Sequence, residues 1–157
     1  MRHIISVEVE NKSGVLARIA GLFSARGFNI DSLAVGETED PTMSRMTIVV
    51  RGDDKTLEQV KKQLNKLVDV ISVKDFGKKE FIDRELLLFK VSVDRQSKAK
   101  AVNYLEKNHA KILHSTSDTL MVEYASEQER VLKLLDGLKD YGIRDMVRTG
   151  RIVMAKE

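Results

Sequence analysis

Asn11–Leu33 reads NKSGVLARIAGLFSARGFNIDSL, and this stretch decides how the first half of the chain folds. Val15, Ile19 and Phe23 recur every four residues, and Leu16, Ala20 and Leu22 widen the stripe. That period is the mark of an amphipathic helix. Ser13 stands where an N-cap is expected, and Gly27 follows Arg26 where a left-handed residue ends a helix. Before the stretch, Ile5, Val7 and Val9 alternate with Ser6, Glu8 and Glu10, so residues 3–10 are a strand. After it, a second strand runs from about Phe28 to Thr38, a turn covers Glu39–Thr42, and Met43–Arg51 is a third strand. Asp53-Asp54 opens a second helix carrying Leu57, Val60, Leu64 and Leu67, and a fourth strand covers Val68–Asp75. The order is β-α-β-β-α-β, the ferredoxin-like arrangement of an antiparallel sheet with both helices on one face. The opposite face then needs a cover, and a partner is one candidate.

The same order recurs further on. Leu87, Phe89, Val91 and Val93 alternate as a strand, and residues 97–107 are a helix. Residues 111–115 and 119–124 form a hairpin, residues 127–139 a helix, and residues 143–154 strand character. The expected organisation is α+β, with a first domain over 2–77, a linker over 78–84 and a second ferredoxin-like domain over 85–157.

Composition excludes several functions. Apolar residues are 42% and charged residues 32% of the 157, which suits a soluble globular protein. The net charge is only +3 with signs interspersed, a solvated surface and not a nucleic-acid footprint. The first domain's central strands also lack the aromatics that an RNA-recognition sheet stacks on bases. There are no cysteines, so disulfides, thiolate metal sites and cysteine nucleophiles are excluded. His3, His109 and His114 share no metal-ligand spacing, Ser6, Ser13 and Ser44 sit in no recognisable nucleophile–histidine motif (only His3 is near Ser6), and no phosphate-binding glycine motif occurs. No run approaches the ~18 apolar residues of a membrane span, and the N-terminus lacks a signal-peptide core. A cytoplasmic location is expected, or an organelle after removal of a transit peptide.

The loop Asn11-Lys12-Ser13-Gly14 carries two readings. It is ordinary turn chemistry, since Asn favours turns, Ser caps and Gly permits a tight backbone. It is also a possible ligand rim. A helix N-terminus offers unpaired N–H groups and a positive dipole end to a carboxylate. Gly14 leaves that approach open, and the Asn11 amide can serve both an ammonium and a carboxylate. A free α-amino acid presents both charges.

Strand, N-x-x-G-x-L, helix, R-G-x-N-I, strand resembles the ACT domains, which are amino-acid-sensing regulatory modules. Residues 11–53, continued by LEQVKKQLNKLVDVISV and DRELLLFKV, resemble the small regulatory subunit of acetolactate synthase (acetohydroxyacid synthase). The resemblance is dense over about 2–93 and sparse beyond, where YGI and RTG recur near the end and ILHSTSDTLMVEYAS departs from the usual sequence. It implies a non-catalytic subunit of a transferase holoenzyme in branched-chain amino acid (valine, leucine, isoleucine) biosynthesis. Such a subunit binds and activates the catalytic subunit, which holds thiamine diphosphate, Mg and FAD, and confers feedback inhibition by valine. It needs no cofactor of its own, and no nucleic acid or membrane partner is implied. The resemblance further implies a homodimer through side-by-side ACT domains with an allosteric valine site at their interface. Asn11, Gly14, Val15 and Leu16 would come from one chain and Asn29 and Ile30 from the other, with Lys12 and Ser13 shaping the loop and Ser13 capping the helix. The second domain has Asp94-Arg95-Gln96-Ser97 where the first has its glycine loop, so a structural or coupling role is expected there. A free-standing ACT-type sensor of another protein is the alternative, and the Asp40–Thr47 stretch DPTMSRMT argues against it.

Overall fold

The computed structural model describes residues 1–157 and divides into two compact units. The first is Met1–Ile82 together with Arg151–Glu157; the second is Asp83–Gly150.

In the first unit the elements are β1 (Arg2–Glu10), α1 (Val15–Ala25), β2 (Asn29–Glu37), β3 (Met43–Arg51), α2 (Asp54–Asn65) and β4 (Val70–Asp75). The strands form an antiparallel sheet in the order β2-β3-β1-β4. Register follows from keeping one face apolar, because a slip of one residue would turn every side chain over. Thus Ile5 pairs with Ile48 and Val7 with Met46. These residues, with Val9 and Val50, pack against Val15, Ile19 and Phe23 of α1 and Leu57, Val60 and Leu64 of α2.

The end of α1 shows how local chemistry places β2. Arg26 is the C-cap and Gly27 adopts φ 76°, a left-handed conformation that costs glycine little. The Gly27 N–H donates to Ser24 O at 3.1 Å and the Phe28 N–H to Phe23 O at 3.0 Å. That pair of bonds is a Schellman motif, and its usual apolar contact is present, Phe28 meeting Phe23 edge-on with ring centroids 6.1 Å apart. The start of α1 departs from expectation. Gly14 at φ 85° is the N-cap and no side chain caps the helix, so Ser13 does not cap; it stands one residue too early to reach the free N–H groups. On α2 the Asp53 carboxylate does cap, accepting from Thr56 N.

The second unit contains most of β5 (Phe81–Ser92), then α3 (Lys98–Lys107), β6 (Lys111–Ser115), β7 (Thr119–Ser126), α4 (Gln128–Gly137) and β8 (Ile143–Arg148). The sheet order is β6-β7-β5-β8. Leu87, Phe89 and Val91 of β5 and Leu120, Val122 and Tyr124 of β7 pack against Ala101, Leu105, Val131 and Leu134 from the helices.

Two boundaries differ from the sequence reading. β5 begins at Phe81, so part of the expected 78–84 linker is strand. The final strand is broken at Thr149-Gly150, and β9 (Ile152–Ala155) pairs with β5 while Arg151–Glu157 belongs to the first unit. There the Arg151 N–H donates to Ser32 Oγ at 3.0 Å. Ser32 lies level with Val49 on the sheet face away from the helices, where Ser6, Thr47 and Val49 are buried. The chain's own C-terminal residues therefore help to close the face that the sequence left without a cover.

Two helical glycines make a direct test of this packing. A Cβ on Gly21 in α1 would meet open space, whereas a Cβ on Gly137 in α4 would overlap the Tyr104 hydroxyl, which donates to Leu134 O at 3.2 Å. Gly21→Ala is expected to raise unfolding stability by about 0.5–1 kcal/mol. Gly137→Ala is expected to lower it by about 1–3 kcal/mol, because the tyrosine must move. Chemical denaturation reads both; stabilisation by both would show that Tyr104 is not seated against α4.

Candidate functional site

The β1–α1 loop is tied to the β2–β3 turn. The Asn11 N–H donates to Thr42 O at 2.7 Å, and Asn11 Nδ2 donates to Pro41 O at 3.0 Å. Those bonds hold the side chain in place and leave Oδ1 free to accept a bond from an ammonium group. Lys12 Nζ lies 2.8 Å from Glu10 Oε2. This pair shifts both groups: hydrogen bonding to Lys12 holds the Glu10 carboxyl below its ordinary value, and Glu10 raises the lysine. Gly14 then turns the chain into α1. The Val15 N–H reaches Lys12 O only at 3.4 Å, and the first full helical bond runs from Arg18 N to Gly14 O at 3.1 Å. The N–H groups of Leu16 and Ala17 thus point out of the helix start unpaired, at the positive end of the dipole.

The proposed side-chain contacts sort differently once burial is known. Val15 is 3% exposed and belongs to the core, so its N–H, not its isopropyl group, faces the loop. Leu16 is 43% exposed and presents an apolar surface at the loop rim. Ser13 and Lys12 are exposed.

Asn29 and Ile30 open β2. Ile30 is half-buried against the core. Asn29 Nδ2 donates one hydrogen to Asp31 Oδ1 at 2.7 Å, which leaves its Oδ1 and its second N–H unengaged. Asp31 also meets Arg51 Nε at 2.8 Å and Arg2 Nε at 3.1 Å. The Arg51 hydrogen bond holds the Asp31 carboxyl below the usual carboxylate range. The sequence reading missed this Arg2–Asp31–Arg51 cluster, because its members come from three strands and show no common spacing. It likewise missed Pro41 O, a backbone group that no motif names.

The structure does not bring the two asparagines together within one chain. Arg51 pairs with Asn29 on one side and Arg2 on the other, so Asn29 lies level with the start of β1. Asn11 follows Glu10 at the far end of that strand. Eight residues of strand separate the two levels, roughly 25–30 Å. β2, in contrast, is an edge strand with its outer hydrogen-bonding groups unpaired in the sheet. It is long and carries Val35 45% exposed, and strands of this kind readily take another strand beside them.

The second unit has no equivalent loop. Asp94 Oδ1 accepts from Gln96 N and Ser97 N, and Ser97 Oγ accepts from Asp94 N. The polar groups of this turn are used within it. No three His, Asp or Glu side chains converge as a metal site, and no helix is long and apolar enough to cross a membrane.

The first unit is an ACT domain: residues 5–72 match the AHAS small subunit-like ACT domain, and residues 84–157 match the family described as the small subunit of acetolactate synthase. The chain belongs to the acetolactate synthase small-subunit family. It is 44% identical over 156 residues to the probable acetolactate synthase small subunit of Archaeoglobus fulgidus, covering 99% of this chain and 98% of that one. It is 43% identical over 154 residues to the small subunit of Mycolicibacterium smegmatis, covering 98% and 91%. The crystal structure of the small subunit from Thermotoga maritima superposes with a TM-score of 0.87 at 35% identity, covering 100% of this chain and 98% of that one.

The Asp31 cluster can be tested by titration. A carboxyl held low by arginine contributes stability that is present above its unfolded value near 3.9 and is lost as pH falls through its folded value. NMR titration of the side-chain carboxyl is expected to place Asp31 below the ordinary range, and Arg51→Gln is expected to move it back up. An Asp31 titration unchanged by Arg51→Gln would show that the bond contributes nothing.

Proposed function

We propose that this chain is the regulatory subunit of an acetolactate synthase. It binds and activates the thiamine-diphosphate-dependent catalytic subunit and lowers its activity when valine occupies a site shared by two ACT domains. In this reading the chemistry, with thiamine diphosphate, Mg and FAD, belongs to the catalytic subunit, and this chain supplies only binding and conformational coupling.

What supports the two-chain site most strongly is the sheet register. Asn11 and Asn29 stand at opposite ends of one sheet, and β2 is a free edge. An antiparallel pairing of β2 with β2 of a second copy reverses the strand. It carries the partner's Asn29 toward the Glu37 end. Glu37 pairs with Ser44, and Ser44 with Val9, next to the Asn11 loop. Two equivalent sites result, each with an Asn11 loop from one copy and an Asn29 from the other.

The chemistry of such a site fits a small apolar amino acid. The unpaired N–H groups at the start of α1 face a carboxylate, and Gly14 adds no side chain to obstruct it. The free Oδ1 atoms of Asn11 and Asn29 accept from the ammonium. Leu16 offers an apolar wall. Valine shifts the holoenzyme by linkage: it binds the less active arrangement better, and a coupling of about 1–3 kcal/mol is enough for a 5–150-fold change.

Gly14→Asp separates the site from the fold. A side chain there meets nothing within 4 Å, and aspartate tolerates the left-handed backbone at a cost of roughly 1–2 kcal/mol. The new carboxylate would repel that of the ligand. Reconstituted with the cognate catalytic subunit, the wild-type chain is expected to raise synthase activity and to lose that gain when valine is added. The Gly14→Asp chain is expected to raise activity that persists in valine. No activation by the wild-type chain overturns the subunit assignment; a normal valine response of the variant overturns the site.

A further inference from the structure

β2 carries a bulge at the end where Asn29 stands. Ile30 pairs with Val50 and Ser32 with Val49, so Asp31 is the extra residue. Successive residues of a regular strand point to opposite faces. The bulge instead brings both Asp31 and Ser32 to the face away from the helices. There Asp31 meets Arg2 and Arg51, and Ser32 Oγ accepts from the Arg151 N–H at 3.0 Å. Asn29 is tied to the same bulge, its Nδ2 donating to Asp31 Oδ1 at 2.7 Å. We propose that Asp31 and Ser32 are positioning residues that pass the state of Asn29 to the C-terminal segment, and from it along the chain to the second unit.

The far end of this route is the run Arg148-Thr149-Gly150, which the strand pattern does not explain. Gly150 is buried with φ 85°, a left-handed conformation that costs glycine little and turns the chain into Arg151. Thr149 binds Leu86 of β5 twice. Its N–H donates to Leu86 O at 3.0 Å, and its Oγ1 accepts from the Leu86 N–H at 3.1 Å. The Thr149 hydroxyl donates onward to Gly150 O at 2.8 Å. Arg148 Nε donates to the Glu85 carboxylate, which is buried. A buried carboxylate that loses its cation is costly, so this pair fixes Arg148 against β5. A displacement at Arg151 is therefore carried into Glu85 and Leu86; no loose loop absorbs it.

The bulge is the element that moves. Side-chain bonds from Asn29, Arg2 and Arg51 hold Asp31 where it is. A ligand that engages the Asn29 amide draws it away from Asp31 Oδ1. The bulged backbone, which also carries Ser32, then shifts against the Arg151 N–H. Asn11 stands at the opposite end of the sheet and bonds to Thr42 and Pro41 instead. The two asparagines thus differ in role: Asn11 contributes affinity, and Asn29 contributes affinity and coupling. A ligand shifts an equilibrium only through what it binds differently in the two states, and Asn29 is where that difference enters. The proposal rests on the valine reading for this input alone; the bonds from Asn29 to Leu86 form without ligand.

Hydrogen exchange read by NMR on the full chain tests the link without ligand. Asn29→Ala is expected to speed exchange of the Arg151 and Leu86 amides about two- to tenfold, the effect of weakening one ordinary hydrogen bond. Asn11→Ala is expected to leave both unchanged. Ser32→Ala is expected to speed both amides, and Ser32→Thr, which keeps the hydroxyl, to retain the wild-type rates. Asn29→Ala added to Ser32→Ala is expected to bring no further change, as for two residues on one route. Additive effects, or wild-type exchange in Asn29→Ala, overturn the proposal. With the catalytic subunit, Ser32→Ala is expected to activate as the wild type does and to bind valine within about twofold of it, while fold-inhibition at saturating valine drops about fivefold. Normal inhibition would mean that Ser32 transmits nothing, and lost valine affinity that it only shapes the site; either overturns the proposal. A wild-type chain that binds no valine overturns the effector reading instead, and the exchange result then decides the link. Circular dichroism melting checks that each variant is folded.

Discussion

The antiparallel register of β1 with β3 is the constraint on which the first unit depends. Ile5 against Ile48 and Val7 against Met46 set one face of the sheet toward α1 and α2. Shifting that register by a residue would send the whole set into water. The same register decides where the polar residues go. It places the Asn11 loop at one end of the sheet and Asn29 at the other, and it leaves β2 as the free edge. A packing requirement of the core thus dictates that any site using both asparagines draws on two chains.

Local chemistry refines this frame at the helix ends. The Schellman motif at Phe23–Phe28 turns the chain directly from α1 into β2, so that Asn29 starts the edge strand. Gly14, with its left-handed backbone and absent side chain, opens the other end of the helix. Side-chain burial then separates roles that a motif merges. Val15 and Leu16 are adjacent in N-x-x-G-x-L, yet Val15 is core and Leu16 is rim. Asn11 and Asn29 each donate one amide hydrogen to a neighbour, Pro41 O and Asp31, and keep the amide oxygen and the second N–H.

Most of the fold was legible because it rests on periodicity. The four-residue recurrence of Val15, Ile19 and Phe23 and the alternation of Ile5, Val7 and Val9 both describe the observed core. What was not legible depends on geometry between distant residues. Ser13 is a good capping residue by type, but the cap position falls on Gly14 because the turn is left-handed there. The strand character of residues 143–154 is real, but the break at Thr149-Gly150 sends its last part to the first unit. The ion cluster of Arg2, Asp31 and Arg51 exists only through strand pairing, which single-chain spacing does not display.

The most direct measurement is valine binding to a mixed dimer in which one chain carries Asn11→Ala and the other Asn29→Ala. If each site takes Asn11 from one chain and Asn29 from the other, one site in this dimer loses both residues and the second keeps both. Calorimetry on the isolated mixed dimer should then find one valine bound with wild-type affinity, while each homodimeric variant shows only weakened sites. A mixed dimer with two equally weakened sites and none of wild-type affinity would contradict the account, because it would mean that each site is built from one chain alone.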